Sequence, residues 1–458
     1  MPDVFSPKIT LFVSLAFGAL FGVVVLVLSP VLGKNIVFVV AIPFAMFFLI
    51  IMFLDARWMM LTLLYTRALL DPLLNMTKLG EGAGMGAFLN LLVIFLVIML
   101  ALRFPGQIDY KSPIIRAWAV FLSICFLSLL YSPDRVRTFK LCINLCSYLA
   151  VTLMPFLIVK NEDQKRFWIK TLLYSSLAPV GLALVGLATH IEFFYSYGRL
   201  QGTFTHSNIL AFYLVLIVAV VFYILKSGLF RLTFSQRVWL RLYMLGCLAL
   251  LVVTETRSAW LSCVGMFFIY ALIKERKFLF ILLLVMGLLF LVPQVQVRLK
   301  DLSEGTGVTK SEKLNSMTWR IKLWESSVEA IKRRPIFGYG IGSFEQMSKE
   351  FFKLDKKGAP AHNVYLELMF ELGLVGLLSY LAIYFTVLKA YFHRVSRRWQ
   401  RLSYEASIIF AYTIGYLIVC SSDNTLYYLA FNWYFWFFMG LMLHSLSFEH
   451  LPAKTASA

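Results

Sequence analysis

An all-α polytopic membrane protein is the class this sequence predicts, on three observations. Apolar residues make up 60% of the 458 residues, and mean hydropathy is +0.78. Charged residues account for only 15%, well below the share of a soluble domain. The apolar residues also come in runs long enough to cross a bilayer, separated by short basic turns.

The runs fall at about 9–28, 34–54, 57–74, 86–102, 115–131, 141–159, 168–189, 208–226, 239–254, 258–273, 278–292, 363–389, 404–421 and 426–446. They give fourteen candidate transmembrane helices, or twelve if the short runs 57–74 and 278–292 are re-entrant or interfacial. The first run is longer than the core of a signal peptide and has no small-residue cleavage site before Ser29-Pro30, so it predicts a retained span.

The formal net charge of +19 would suggest nucleic acid in a soluble protein. Here the charge sits in loops around Arg103, Lys111 and Arg116, around Lys160, Lys165, Arg166 and Lys170, around Lys226, Arg231, Arg237 and Arg241, at Lys274, Arg276 and Lys277, and at Lys389, Arg394, Arg397, Arg398 and Arg401. These loops alternate along the chain as cytoplasmic loops do. No basic run is interleaved with aromatics in the manner of a nucleic-acid surface.

The alternation places both termini inside and one long polar segment, 293–361, outside. Three regions follow: helices one to eleven in 1–292, the outer loop in 293–361, and the C-terminal helices with a cytoplasmic tail in 362–458. Cys125, Cys142, Cys146, Cys247, Cys263 and Cys420 all lie within or beside apolar runs. They predict packing residues rather than disulfides or a metal site.

Within the outer loop, Ile321, Trp324, Val328 and Ile331 recur at helical spacing, Lys332, Arg333 and Arg334 occupy the last turn, and Pro335 ends it. An amphipathic helix over 318–334, on or near the membrane surface, is the expectation. Phe337 to Ser343 reads Phe-Gly-Tyr-Gly-Ile-Gly-Ser, a flexible turn with no need of a phosphate.

The polar segment runs abruptly into an apolar one at Pro360-Ala-His362-Asn363, which puts His362 at a membrane surface and at the first turn of a helix. Positive partial charge at a helix start disfavours a second positive charge on a nearby imidazole, and a neutral imidazole is a candidate general base. Asn363 is the expected N-cap, and Gly373 with Gly376 would give the helix a close-packing groove.

Four places carry basic residues on the outer side: Arg135 and Arg137, Arg199, Arg257, and Arg320. Ionisable groups at membrane depth are costly, and a planar guanidinium makes paired, charge-assisted bonds to phosphate. Together they predict a site for a diphosphate. His206, just before the eighth span, is a rival base or a helix cap. The outer loops contain no His-Glu-x-x-His motif, no carboxylate pair at metal-ligand spacing, no phosphate loop and no nucleophile elbow.

The segments Arg199-Leu-Gln-Gly-Thr-Phe, Glu255-Thr-Arg257-Ser-Ala-Trp, Arg320-Ile-Lys-Leu-Trp, Arg-Arg-Pro-Ile-Phe-Gly-Tyr-Gly and Ala-His362-Asn363 followed after nine residues by Gly373-Leu-Val-Gly376 resemble the motifs of the bacterial O-antigen ligase and polymerase superfamily. The resemblance covers roughly 130–445, and the His-Asn, nine residues, Gly-x-x-Gly pattern is associated with the ligase branch. It implies an inner-membrane glycosyltransferase that uses no nucleotide sugar, cofactor or metal. Such an enzyme moves a glycan from undecaprenyl pyrophosphate, on the periplasmic side, to an acceptor hydroxyl. For a ligase the acceptor is a lipid A-core sugar, and for a polymerase it is another lipid-linked repeat. The membrane-facing partners are lipids, and nucleic acid is not among them. A transporter of a lipid-linked anion is the other class, and it would favour an internal repeat and mid-membrane charges, neither of which the sequence shows clearly.

Overall fold

The computed structural model describes Phe48, Ile51 and residues 55–76, 85–293, 295–297, 316–355, 357–395 and 400–446. The expected span at 9–28, most of that at 34–54, and 301–315 of the outer loop lie outside the described residues.

The chain begins with α1 (Ala56–Arg67), α2 (Asp71–Met76), α3 (Met85–Arg103), α4 (Pro113–Leu127), α5 (Arg135–Ile158), α6 (Glu162–Ser175) and α7 (Leu177–Thr189). A ribbon of β1 (Tyr195–Ser196) and β2 (Arg199–Leu200), paired antiparallel, leads into α8 (Ser207–Lys226), α9 (Phe234–Val253), α10 (Arg257–Ile273) and α11 (Lys277–Leu289). The remainder is α12 (Ser316–Arg333), α13 (Phe344–Phe351), α14 (Val364–Glu371), α15 (Gly373–Val395), α16 (Gln400–Cys420) and α17 (Leu429–Ser445). Among the described residues seven helices are long and apolar enough to cross a membrane, and that ribbon is the only sheet. The protein is an all-α polytopic membrane protein.

The bundle is built around α8. Its sequence is apolar around the whole circumference, which requires neighbours on every side, and every side chain from Ser207 to Ile224 is buried. The helices α9, α17, α16, α6 and α10 pack against it. Against α8 and α5, helix α17 packs Phe431, Trp433, Tyr434, Phe437 and Phe438, all buried. Trp433 Nε1 donates to Ser147 Oγ at 3.0 Å.

The two ends of α8, about 30 Å apart at 1.5 Å per residue, differ in chemistry. At the C-terminal end Lys226 meets both oxygens of Glu275 at 2.8 Å. Nearby, Lys165 Nζ lies 2.6 Å from Glu405 and 2.9 Å from Ser445 Oγ. At the N-terminal end lie Arg199, His206 and the Thr254–Thr256 turn that opens α10.

Three local expectations change. The run 363–389 is not one helix, because Gly373 takes φ +64° and separates α14 from α15. A Cβ there would lie 2.3 Å from the Ile336 carbonyl, so Gly373 forms a backbone junction with the outer loop rather than a helix-packing groove. The segment 337–343 is docked rather than flexible. Gly340 donates its N–H to the Glu371 carbonyl at 2.7 Å, and a Cβ on it would lie 2.5 Å from Ser132 Cβ.

The surface helix forms, and its expected stripe is split: Ile331 packs on a small core and Trp324 is half-buried, but the other two positions face outward. Ile321 and Val328 are exposed, while Leu323 and Ser327 are buried. Leu323 joins Phe344, Phe352, Ala359, Ala361 and Phe370 in a small second core, so the outer segment packs directly on α14.

Candidate functional site

The site is assembled where α8, α10, α12 and α14 begin, around a carboxylate that the sequence reading missed. Asp423 lies in the turn between α16 and α17 and is fully buried. Its Oδ2 accepts from Asn208 Nδ2 at 2.8 Å and from Ser258 Oγ at 3.1 Å. Its Oδ1 accepts from the Asn424 N–H at 2.9 Å and from the Tyr428 hydroxyl. Burial opposes its ionisation, but His362, the Tyr428 hydroxyl and Arg320 outweigh that and hold its pKa below the usual carboxylate value.

His362 is at that carboxylate, with Nδ1 3.9 Å from Asp423 Oδ1, an ion-pair distance too long for a hydrogen bond. Nδ1 is buried and has no hydrogen-bond partner. The side chain is 28% exposed, and its ring lies 6.5 Å from that of Trp319, centroid to centroid, in a T-shaped arrangement. The backbone at His362 is left-handed, with φ +50°, a conformation that costs a non-glycine residue about 1–3 kcal/mol. Its neighbours hold it there. The Ala361 carbonyl accepts from Trp324 Nε1 at 2.7 Å, and Asn363 caps α14 by accepting from the Leu366 N–H at 3.1 Å, the role expected of it.

His206 also belongs to the cluster. It is the N-cap of α8, with Nδ1 accepting from the Asn208 N–H at 3.1 Å. Burial, then Arg199 and His362, push its pKa down against the opposing pull of Asp423. A neutral imidazole accepting at Nδ1 carries its proton on Nε2, which makes that atom a donor and not a base.

The arginines divide into two groups. Arg199, on β2, donates from Nε to the Thr254 carbonyl at 3.0 Å and from Nη2 to Asn208 Oδ1 at 3.1 Å and Thr256 Oγ1 at 2.6 Å. Arg320, in the first turns of α12, donates to the Ser422 carbonyl at 2.7 Å, beside Asp423. Arg257 is the first residue of α10 and precedes Ser258, which binds Asp423. Arg137 instead pairs with Glu345 of α13, and Arg135 is exposed on the first turn of α5. Both stand inside α5, because Asp134 caps that helix six residues before the apolar run starts.

The fold and site together define a multi-pass membrane protein with a histidine–carboxylate pair and arginines gathered at one end of its bundle. Residues 242–381 match the family model described as O-antigen ligase. The chain is 28% identical over 325 residues to a Rickettsia felis protein whose name assigns it provisionally to the polysaccharide ligases, covering 66% of this chain and 74% of that one. It is 30% identical over 230 residues to the exopolysaccharide production protein ExoQ of Rhizobium meliloti, covering 46% of this chain and about half, 52%, of that one. Over these stretches the chain is similar to O-antigen ligases, to a protein named for polysaccharide ligation and to one named for exopolysaccharide production.

Proposed function

We propose that the chain transfers a glycan from undecaprenyl pyrophosphate to a sugar hydroxyl on the periplasmic side of the inner membrane, as an O-antigen ligase acting on a lipid A-core acceptor. The observation that carries this reading is the convergence of Arg199, Arg320, His206 and His362 on the buried Asp423. A permanent anion deep in a cationic pocket orients its neighbours without occupying the place of the substrate's charge.

In the proposed step the acceptor oxygen attacks the anomeric carbon while the bond from that carbon to the diphosphate oxygen breaks. The hydroxyl proton passes to His362, and the lipid diphosphate leaves with the electron pair. Asp423, opposite Nδ1, favours the imidazolium that forms, which leaves Nε2 as the base. Arg199, Arg257 and Arg320 meet the charge developing on the diphosphate, with no metal in that role. Arg199 suits this task because Thr254, Asn208 and Thr256 fix its fork in advance. In-line attack inverts the anomeric centre.

The likeness to ExoQ favours a second reading, a polymerase whose acceptor is another lipid-linked repeat. Deletion separates the two in an organism that makes O-antigen. Core-only lipopolysaccharide with lipid-linked polymer accumulating supports the ligase, and core carrying a single repeat supports the polymerase.

A further inference from the structure

Behind the site lies a buried carboxyl pair that the proposed chemistry does not touch. Glu367 and Glu371 stand one turn apart on α14, 4% and 0% exposed. Glu367 Oε2 accepts from the Ala361 N–H at 3.3 Å. Ala361 precedes His362 in the chain, so this side chain holds the turn that carries the imidazole.

Glu371 extends this hold. Its Oε1 accepts from the Phe344 N–H at 3.1 Å, and its Oε2 accepts from the Tyr427 hydroxyl at 2.7 Å. Tyr428, the next residue, donates to Asp423. Burial pushes both carboxyls above the ordinary range, and the charge of Glu371 adds to the effect on Glu367. Two carboxylates one turn apart in such a place favour holding a proton. A hydrocarbon of the same shape would remove this conflict, so stability alone does not explain two acids here.

We propose that Glu367 is a positioning residue for the transfer reaction, setting the separation of His362 from Asp423 through Ala361. The inference rests on His362 being the base. The strained φ at His362 is held only while Ala361 is clamped at both its N–H and its carbonyl, and Glu367 supplies the first of these.

The test is steady-state transfer by purified, reconstituted protein from an undecaprenyl-pyrophosphate-linked glycan, with thermal unfolding followed in parallel. Glu367→Met keeps the volume and removes the bond from Ala361. Its kcat should fall on the order of 10²-fold, the cost of misplacing a catalytic group by about 1 Å. KM for the donor should stay within about threefold, and Tm should hold or rise. Glu367→Gln, whose amide oxygen can still accept from Ala361, should recover most of the lost kcat. Wild-type kcat in Glu367→Met, or a loss that only follows loss of folded protein, would overturn the positioning role. Should Glu367→Met fail to fold, Glu367→Leu removes the same bond with a branched apolar side chain. The same fall in kcat is expected there, and wild-type kcat there would overturn the proposal. His362→Ala, run beside these, separates the two levels: full activity in it would refute the base and the positioning role with it, whereas an inactive His362→Ala beside a fully active Glu367→Met would refute the positioning role alone.

Discussion

Asp423→Asn removes one charge from a fully buried side chain while keeping its shape. Asp423 Oδ1 stands 3.9 Å from His362 Nδ1, where its charge meets the positive charge that develops on the imidazole as the proton is taken. Removing a preorganised partner for charge that develops in the transition state costs roughly 10²–10³-fold in kcat, and that is the fall expected here. Stability should fall as well. The two oxygens of Asp423 receive donors from Asn208, Ser258, Asn424 and Tyr428, and an amide presents an oxygen to only one pair. The hydroxyls can turn to accept, but one N–H is left facing an NH₂, at a cost of about 1–3 kcal/mol. Turnover at saturating donor and acceptor, with thermal unfolding in the same detergent, measures both. A kcat within about threefold of wild type would refute the role of Asp423 beside the base.

Four further outcomes are expected. Arg199→Lys keeps the charge but loses the fork that binds Thr254, Asn208 and Thr256, so transfer should fall by at least about tenfold; retention of normal transfer in Arg199→Ala, Arg257→Ala and Arg320→Ala alike would remove the arginines from the mechanism. The raised carboxyls of Glu367 and Glu371 add stability that is complete below the unfolded value near 4.3 and is lost as pH rises through their folded values. Tm of the wild type should thus fall as pH rises above about 5, and Glu367→Gln should flatten the slope; a slope unchanged by that substitution would contradict the burial of a proton there. The arginine pair farther from Asp423 is predicted to matter less: Arg137→Gln should loosen α13 through Glu345 and lower Tm while leaving KM for the donor within about threefold, as thermal unfolding and kinetics together would show. Cysteines at Lys353 and Ser235, both exposed, should react differently with an impermeant thiol reagent in cells with a permeable outer membrane, and equal labelling would remove the topology on which the site depends.

The sequence made His362, Arg199, Arg257 and Arg320 visible because a charged or titratable group at the edge of an apolar run stands out against its surroundings. Asp423 obeys the same rule, in a short polar turn between two apolar runs. A diphosphate site draws attention to cations and not to an acid, although buried cations need an internal anion. Glu367 and Glu371 were hidden for a different reason. They sit in a run whose hydropathy reads as one span, and only the φ of Gly373 shows that the run breaks into a short outer helix and a separate long one. Hydropathy records how apolar a segment is but not where the backbone turns. The buried face of α12 shows the same limit. Helical spacing identified the helix, while the tertiary contacts of Leu323 and Ser327 chose the side it buries.

The proposed chemistry requires His362 to accept a proton at turnover. Transfer from purified undecaprenyl-pyrophosphate-linked glycan to acceptor by reconstituted protein, compared among wild type, His362→Ala and His206→Ala with and without chelator, tests this directly. Turnover should fall by roughly 10²–10⁴-fold in His362→Ala with donor binding retained. It should fall far less in His206→Ala, which mainly loses a helix cap worth about 1 kcal/mol, and chelator should change nothing. Near-wild-type turnover in His362→Ala would contradict the base assignment, and a loss confined to His206→Ala would move the base to His206.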